Sequence, residues 1–514
     1  MKVFNFILLC LFTVACSSLK NKTPKQVLRK YLRQNPTHKT VLTSEGQFVQ
    51  VFNPRMVKYI KKPLTRNQLL KIEQILKPAV KIELTKNNFT KAAERFEEGK
   101  KDETNYDAVW VRDSAWVYFA LNKSGQKEKA TKLITALWDY YSHSNQLERM
   151  KKIIQNPALA ATSKMNVPHI RFDGASKNFE DVMEKGKPQL WNHRQNDAHG
   201  LFLLALADAF KNKLIDYNSL NSANTEVVTL FPKYFLAINY HQFKGAGAWE
   251  EVDKINTSSI AMVVKSFEQW SELEGIKGYF NWNRKDIDQI ISDGYKTIRY
   301  QLSLGGEAPQ SDPRNSIFRL EDAALFNLFL PMPLKQLTEL EKRYALTLVE
   351  KLIRPYGVIR YPNDSYQAGN YWIKDKSKSE PELTGDASSD ELFLARFKKI
   401  IPNTEAQWFF DSKISMIYSQ FYQNTINENL KQQAKYKAIY HYKRALGQIT
   451  GSFNKQQPIL AADAKEVRNF QVPESINTIV IDEKKYYVPS PITPLNWAKA
   501  GLILSGLELE KIIN

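Results

Sequence analysis

The stretch DAHGLFLLALADAF, residues 197–210, places its apolar side chains at the 3.6-residue spacing of a helix face. The same period recurs outward in both directions. Toward the N-terminus it runs through RNQLLKIEQILKPAV behind Thr65, a residue suited to cap a helix, then DAVWVRDSAWVYFAL (107–121) and QKEKATKLITALWDYY (126–141). Toward the C-terminus it continues in NTEVVTLFPKYFLAINY (224–240), TSSIAMVVKSFEQWSEL (257–273) and DIDQIISDGYKTIRYQL (286–302). It goes on through LEDAALFNLFL (320–330), LKQLTELEKRYALTLVEKLI (334–353) and TEAQWFFDSKISMIYSQFY (404–422). NENLKQQAKYKAIYHYKRAL (427–446) and PLNWAKAGLILSGLELEKI (494–512) close the series. About twelve or thirteen helices follow.

Strand signals are sparse. TIVIDEKKYYVP (478–489) reads as a small hairpin near the C-terminus, and GQFVQVF (46–52) as a short strand. No interior break divides the helical run, which implies one large all-α domain. A solenoid would repeat at a fixed period of about 34 or 40 residues, and no such self-similarity is present. A toroid of helix pairs remains, with inter-helix loops at one end converging on a central pocket.

The chain has 514 residues, 43% of them apolar and 12% aromatic, which excludes disorder for most of its length. Lys and Arg total 73 against 54 Asp and Glu, a formal charge of +19. That charge bears on solubility and association rather than fold. The Lys residues are spread along the chain and no nucleic-acid motif is present, so a solvated basic surface is expected and no nucleic-acid partner. Both cysteines, Cys10 and Cys16, lie in the first sixteen residues. The body therefore has no disulfide framework, cysteine metal site or thiol nucleophile. Seven histidines are scattered without a paired spacing, and no cofactor or metal is expected. His193 and His199 read as structural or rim residues.

At the N-terminus Lys2 precedes the apolar run VFNFILLCLFTVA and then Cys16-Ser17-Ser18. This is the layout of a secretory signal, and the run is too short for a membrane span of about 20 residues. Cysteine after small residues resembles the bacterial lipobox, although Thr13 stands where Leu is usual. The expectation is lipidation at Cys16 and an exported, membrane-anchored protein, at the outer membrane facing the periplasm or at the cell surface. An ordinary cleaved signal is the alternative. Residues 17–84, polar and Lys-rich at their start, read as a basic linker or extension ahead of a domain spanning 85–514.

Five clusters interrupt the amphipathic pattern: YDAVWVRDSAW (106–116), WNHRQNDAHG (191–200), AWEEVDKINTSS (248–259), IRYPNDSYQAGNYW (359–372) and FQVPESI (470–476). Each joins aromatic rings to charged or amide groups. Rings stack on apolar sugar faces, and hydroxyls take bidentate partners, so a pocket lined this way suits carbohydrate. Helix caps and inter-helix ion pairs are the competing explanation for any single cluster.

Together these strings resemble glycoside hydrolase family 15, the glucoamylase family, over about residues 85–514. The resemblance implies an (α/α)6 barrel. VWVRDSAW is similar to the family's first signature, which puts Trp110, Arg112 and Asp113 on the innermost sugar subsite. WNHRQND keeps the W-x3-Q-x-D spacing and gives Trp191, Gln195 and Asp197 as substrate-binding positions. WEEV resembles the general-acid segment, with Glu250 as the acid, Glu251 binding substrate and Trp249 beside them. RYPNDSYQAGNYW matches a sugar-binding string and carries over Arg360, Tyr361 and Trp372. VPES resembles the segment of the general base, Glu474, with Ser475 where Gln is usual. Residues 374–390 look like an insertion. The β-domain typical of bacterial members does not fit ahead of residue 85, and no starch-binding module is visible.

Inverting hydrolysis needs two carboxyl groups roughly 6.5–9.5 Å apart, one of them protonated. Adjacent Glu250 and Glu251, with Trp249 as an apolar wall, suit the protonated partner. The resemblance implies an exo-acting, inverting α-glucoside hydrolase that releases glucose from α-glucans or maltooligosaccharides, working as a monomer. Trehalase- or dextran-type specificity, or a barrel that binds sugar without turnover, are the alternatives.

Overall fold

The computed structural model describes residues 23–34, 36–94, 106–184, 186–273, 279–315, 317–369, 393–394 and 400–513. Cys16, Trp372 and the 374–390 segment lie outside the described residues.

The fold is an (α/α)6 barrel. Its helices, numbered in chain order, are α1 (Arg66–Leu76), α2 (Val111–Lys123), α3 (Lys127–Ser142), α4 (Asn196–Lys211) and α5 (Ser222–Ala237). They continue as α6 (Thr257–Ser271), α7 (Arg284–Leu304), α8 (Glu339–Glu350), α9 (Asp411–Asn424), α10 (Glu428–Gly447) and α11 (Asn496–Glu510). The inner ring is formed by α2, α4, α6, a 3-10 segment Ala323–Leu328, α9 and α11, and α11 packs back on α2 to close it. Each inner element leans on an outer one: α3, α7, α8, α10 and α1 pack closely on theirs, and α5 meets α4 through Phe231 and Phe202, whose rings lie 6.2 Å apart.

Inner helices are apolar almost all round. In α4 every residue from Asn196 to Ala207 is buried, and in α6 every residue from Thr257 to Trp270. A helix with no polar face must lie in the interior. Close approach is built in where α4 meets α6: a Cβ on Gly200 would lie 2.7 Å from the backbone carbon of Met262. The outer helix α8 instead shows a solvated face and opens on a capping box between Thr338 and Glu341.

Two expectations are modified. The span 320–330 forms a six-residue 3-10 segment, because the Asp322 side chain caps Ala324 N–H and Pro331 and Pro333 halt any extension. The span 404–422 becomes helical only at Asp411, because Gln407–Trp408 is a strand.

Residues 17–84 were expected to be a linker. From residue 23 the structure instead folds them onto the barrel. Lys39–Leu42 and Phe48–Val51 pair as a hairpin, and Val41, Val49, Val51, Met56 and Ile60 are buried. Phe52 N–H donates to Gly447 O at 2.9 Å, and Lys443 Nζ pairs with Glu45 at 2.6 Å. Helix α1, capped by Thr65, completes the outer ring beside α11, so the barrel begins before residue 85.

The expected hairpin forms within a five-stranded antiparallel sheet. With β1 (Ile353–Arg354), β2 (Gly357–Val358), β3 (Gln407–Trp408), β4 (Ser475–Ile481) and β5 (Lys484–Pro489), the order is β5-β4-β3-β2-β1. Ser475 pairs with Trp408, and Trp408 with Val358. The sheet thus sets Arg360, Trp408 and Glu474 side by side.

Candidate active site

The first turns of the inner helices meet. Arg112 and Asp113 open α2, Asp197 opens α4 and Thr257–Ser259 open α6. Helix N-termini carry unpaired N–H groups and a partial positive charge, which favours carboxylates there.

Arg112 is the hub. Its Nε donates to Asp197 Oδ2 at 2.7 Å and its Nη1 to Glu250 Oε1 at 3.2 Å. Its Nη2 donates to Gln195 Oε1 at 2.5 Å and to Gly247 O at 3.3 Å. A buried guanidinium with its donors filled in this way fixes geometry rather than contacting solvent. The structure therefore brings Arg112, Gln195, Asp197 and Glu250 together. Asp113 is buried beside them, and burial, reinforced by the Glu250 charge, pushes its carboxyl up to about 7 against the pull of Arg112.

Glu250 and Glu251 turn to different surroundings. Glu250 ends a 3-10 turn with φ 62° and ψ 32°, a left-handed conformation that costs a non-glycine residue about 1–3 kcal/mol. Gly247, also at positive φ, lets the turn press on Asn256, where a Cβ would meet Oδ1 at 2.6 Å. Glu250 accepts from Trp110 Nε1 at 3.2 Å. Glu251 is enclosed: Arg360 Nη2 donates at 2.8 Å, Tyr361 OH at 2.7 and 2.8 Å, and Arg319 Nη2 at 3.2 Å. Arg360 is held in turn by Asp364 at 2.6 and 2.7 Å. Trp249 donates to Asp322 at 2.7 Å, and Arg360 lies over its ring.

Glu474 comes from the far end of the chain, at the start of β4. It accepts from Tyr106 OH at 3.0 Å, from Ser490 Oγ at 3.2 Å and from Gln367 Nε2. Burial raises its carboxyl to about 7, opposed by these hydrogen bonds and by Arg360. The two carboxyls are joined through one aromatic pair. The Tyr106 ring lies 5.4 Å from Trp110; Tyr106 serves Glu474 and Trp110 serves Glu250. Trp191 stands 6.3 Å from Trp110, with the Arg171 guanidinium over both rings at 4.2 and 4.8 Å.

Sequence reasoning missed several of these groups. Tyr106 and Gln367 sat inside the quoted clusters, next to the residues singled out. Trp408 packs against Trp249, Tyr366 and Arg360 within an apolar run that read as helix. Arg319, Asp322 and Ser490 carried no local signal.

Among the described residues, His169, Asp181 and His193 form one group of metal-ligating types. The two imidazoles are stacked, 3.7 Å apart and 12° from parallel, so their in-plane lone pairs cannot converge on one ion. His169 already bonds Asp181 at 2.5 Å and Met165 O at 2.9 Å, which fits a structural role.

Comparison with known proteins agrees with this architecture. Residues 86–293 match the family model of the glycosyl hydrolases family 15. The chain is 36% identical over 205 residues to the uncharacterized lipoprotein YgeQ of Escherichia coli K12, a match covering 39% of this chain and 76% of that protein. Among solved structures, a wild-type glycosidase aligns with a TM-score of 0.55 at 13% identity, over 87% of this chain and 99% of its own. A glucoamylase from Saccharomycopsis fibuligera aligns at 0.51 and 13%, over 87% and 95%. With the barrel, the paired carboxyl arrangement and these matches in hand, the chain belongs to the glycosyl hydrolases family 15.

Proposed function

We propose that the chain is an exo-acting, inverting α-glucoside hydrolase that releases glucose from the non-reducing ends of α-glucans or maltooligosaccharides. The observation that carries the reading is the pair of carboxyls tied to one aromatic pair, Glu250 through Trp110 and Glu474 through Tyr106.

Glu250 is the general acid. Protonated, it donates to the glycosidic oxygen as the bond from that oxygen to C1 breaks. Asp197 takes the shorter contact with Arg112, at 2.7 Å, and leaves Glu250 the longer one, at 3.2 Å. Glu474 is the general base. Its three protein contacts are donors, which favours the ionised form that accepts a proton from water. That water attacks C1 from the face opposite the leaving oxygen, so an α-linked sugar is released as the β-anomer. A base poised near neutrality matches the range in which proton transfer is most effective.

Asp113 and Arg360, with Trp110, Trp191, Trp249, Tyr361 and Trp372, bind the terminal sugar. Glu251, Gln195, Asp197 and Arg112 hold that set in place. Cys16 carries the lipid that anchors the protein to a membrane, facing the periplasm or the cell exterior. The relative from Escherichia coli is itself a lipoprotein, which supports this. Among the described residues no helix is long and apolar enough to cross a membrane.

The test is proton NMR of the protein with maltotriose, isomaltose and trehalose. Early appearance of β-glucose from one of them supports the reading and names the linkage. From maltotriose, whose released glucose comes from the non-reducing end alone, early α-glucose removes inversion; from trehalose, whose cleavage frees both halves as glucose, inversion gives the two anomers in equal amounts. Saturable shifts without turnover point to a sugar-binding barrel instead.

A further inference from the structure

Glu474 stands at one end of a file of buried polar side chains. Ser475 Oγ donates to Asn477 Oδ1 at 2.7 Å, and Asn477 Nδ2 donates to Gln367 Oε1 at 2.7 Å. Gln367 Nε2 then donates to Glu474 Oε2. All four side chains are buried. The file has a direction. Because Asn477 receives a proton from Ser475, its amide nitrogen faces Gln367. Because Gln367 receives one from Asn477, its own nitrogen faces the carboxylate. Gln367 also sits at φ 56°, in the left-handed region, one residue past Tyr366, whose hydroxyl is 2.5 Å from that of Tyr106. Backbone strain of this kind persists where surrounding contacts over-determine it. The file occupies the place where the sequence departs from the usual base motif, with Ser475 following the glutamate.

From this geometry we infer that Gln367, oriented by Asn477 and Ser475, is the positioning residue for Glu474, fixing the carboxylate's direction and holding it ready to accept a proton. The inference rests on the proposal that Glu474 is the base. Buried polar chains of this kind act as a unit, because an unpaired member left in low dielectric costs more than the bond it made. The other titratable or charged groups around Glu474 are Tyr106, Tyr366 and Arg360.

The experiment is the pH dependence of kcat/KM for the full-length protein, on whichever of maltotriose, isomaltose and trehalose it cleaves. Gln367→Glu sets a second carboxyl against Glu474 and should move the acid limb upward by about one pH unit or more. Gln367→Leu removes a donor and should move it the same way. Ser475→Ala, two links away, should produce a smaller shift in the same direction. In each case kcat should fall with KM changed less than about twofold, since the groups act on the base and not on sugar binding.

An acid limb unmoved in both Gln367 variants overturns the inference, provided that Glu474→Gln is inactive. Parent-like turnover in Glu474→Gln overturns the underlying assignment instead. If none of the three sugars is cleaved, the same displacement is read from the pH dependence of the melting temperature of parent and Gln367→Glu. Coincident curves then refute the inference.

Discussion

Replacing Glu474 by Gln should abolish turnover and, above neutral pH, stabilise the fold relative to the parent. The sign follows from burial. The carboxyl titrates at about 7 in the folded chain, against an ordinary 4.5, so the native state holds its proton more tightly than the unfolded chain does. Below 4.5 both states are protonated and the site is neutral in its effect. Between 4.5 and about 7 the unfolded chain ionises first, and a penalty on folding accumulates. Above 7 it is complete. At about 1.36 kcal/mol per pH unit the interval corresponds to roughly 3 kcal/mol. An amide carries no such penalty. Its oxygen can accept from Gln367 and Ser490, while its nitrogen faces Tyr106, whose hydroxyl can turn to Tyr366. With an unfolding entropy of about 2.1 cal/mol/K per residue, 514 residues give about 1 kcal/mol/K. The melting temperature of the variant minus that of the parent should therefore rise by about 3 °C between pH 4.5 and pH 8. Calorimetry across that range reads the difference directly, and any constant cost of the substitution cancels. A flat difference, or one that falls with pH, would refute the claim that burial of this carboxyl dominates its electrostatics.

Three further outcomes are expected. Glu250→Gln should lose activity on glycosides yet recover much of it on α-glucosyl fluoride, whose leaving group needs no proton; recovery in Glu474→Gln instead would exchange the two roles. Arg112→Met should destabilise the chain by about 3–5 kcal/mol in denaturant titration, because it strands the buried Asp197 carboxylate; a loss below about 1 kcal/mol would remove Arg112 as the hub. Cys16→Ala should shift the protein from the membrane fraction to the soluble fraction and abolish incorporation of labelled fatty acid, and unchanged membrane partition would remove the lipid anchor.

The helices were legible because burying a full helix face imposes a 3.6-residue period that survives any tertiary arrangement, as in 197–210 and 257–273. Where two structures bury the same apolar run, the sequence was ambiguous. Gln407–Trp408 serves as a strand because Trp408 finds Val358 and Ser475 beside it, partners remote in the chain. In the N-terminal arm the strand and the Thr65-capped helix were legible, but the docking of the arm was not, because its apolar residues are few and well spaced and part of their packing comes from α10 and α11, more than 350 residues away. The site divides in the same way. Trp110, Arg112, Asp113, Glu250, Glu251 and Arg360 fall within short strings whose residue types already suggest sugar chemistry. Ser490, Arg319 and Asp322 reach Glu474, Glu251 and Trp249 across 16 to 73 positions of chain, and nothing in the sequence around them marks those contacts.

Ring closure has a consequence for the order of assembly. Helices α1 and α11 are neighbours in the barrel, joined by Arg66 to Glu510 at 3.1 Å, and Asn496 at the start of α11 donates its N–H to Ala92 O at 2.8 Å. The ribosome delivers α1 long before α11. Until residues 496–510 emerge, the inner faces of α2 and α9 lack the stave that lies between them, and the loop bearing Glu474 has only just appeared. Without that stave the ring stays open, and the apolar faces of α2 and α9 that it covers are exposed. Closing the ring and covering that apolar edge are thus one event, so a chain cut short before this helix is left with an open pocket and exposed to aggregation.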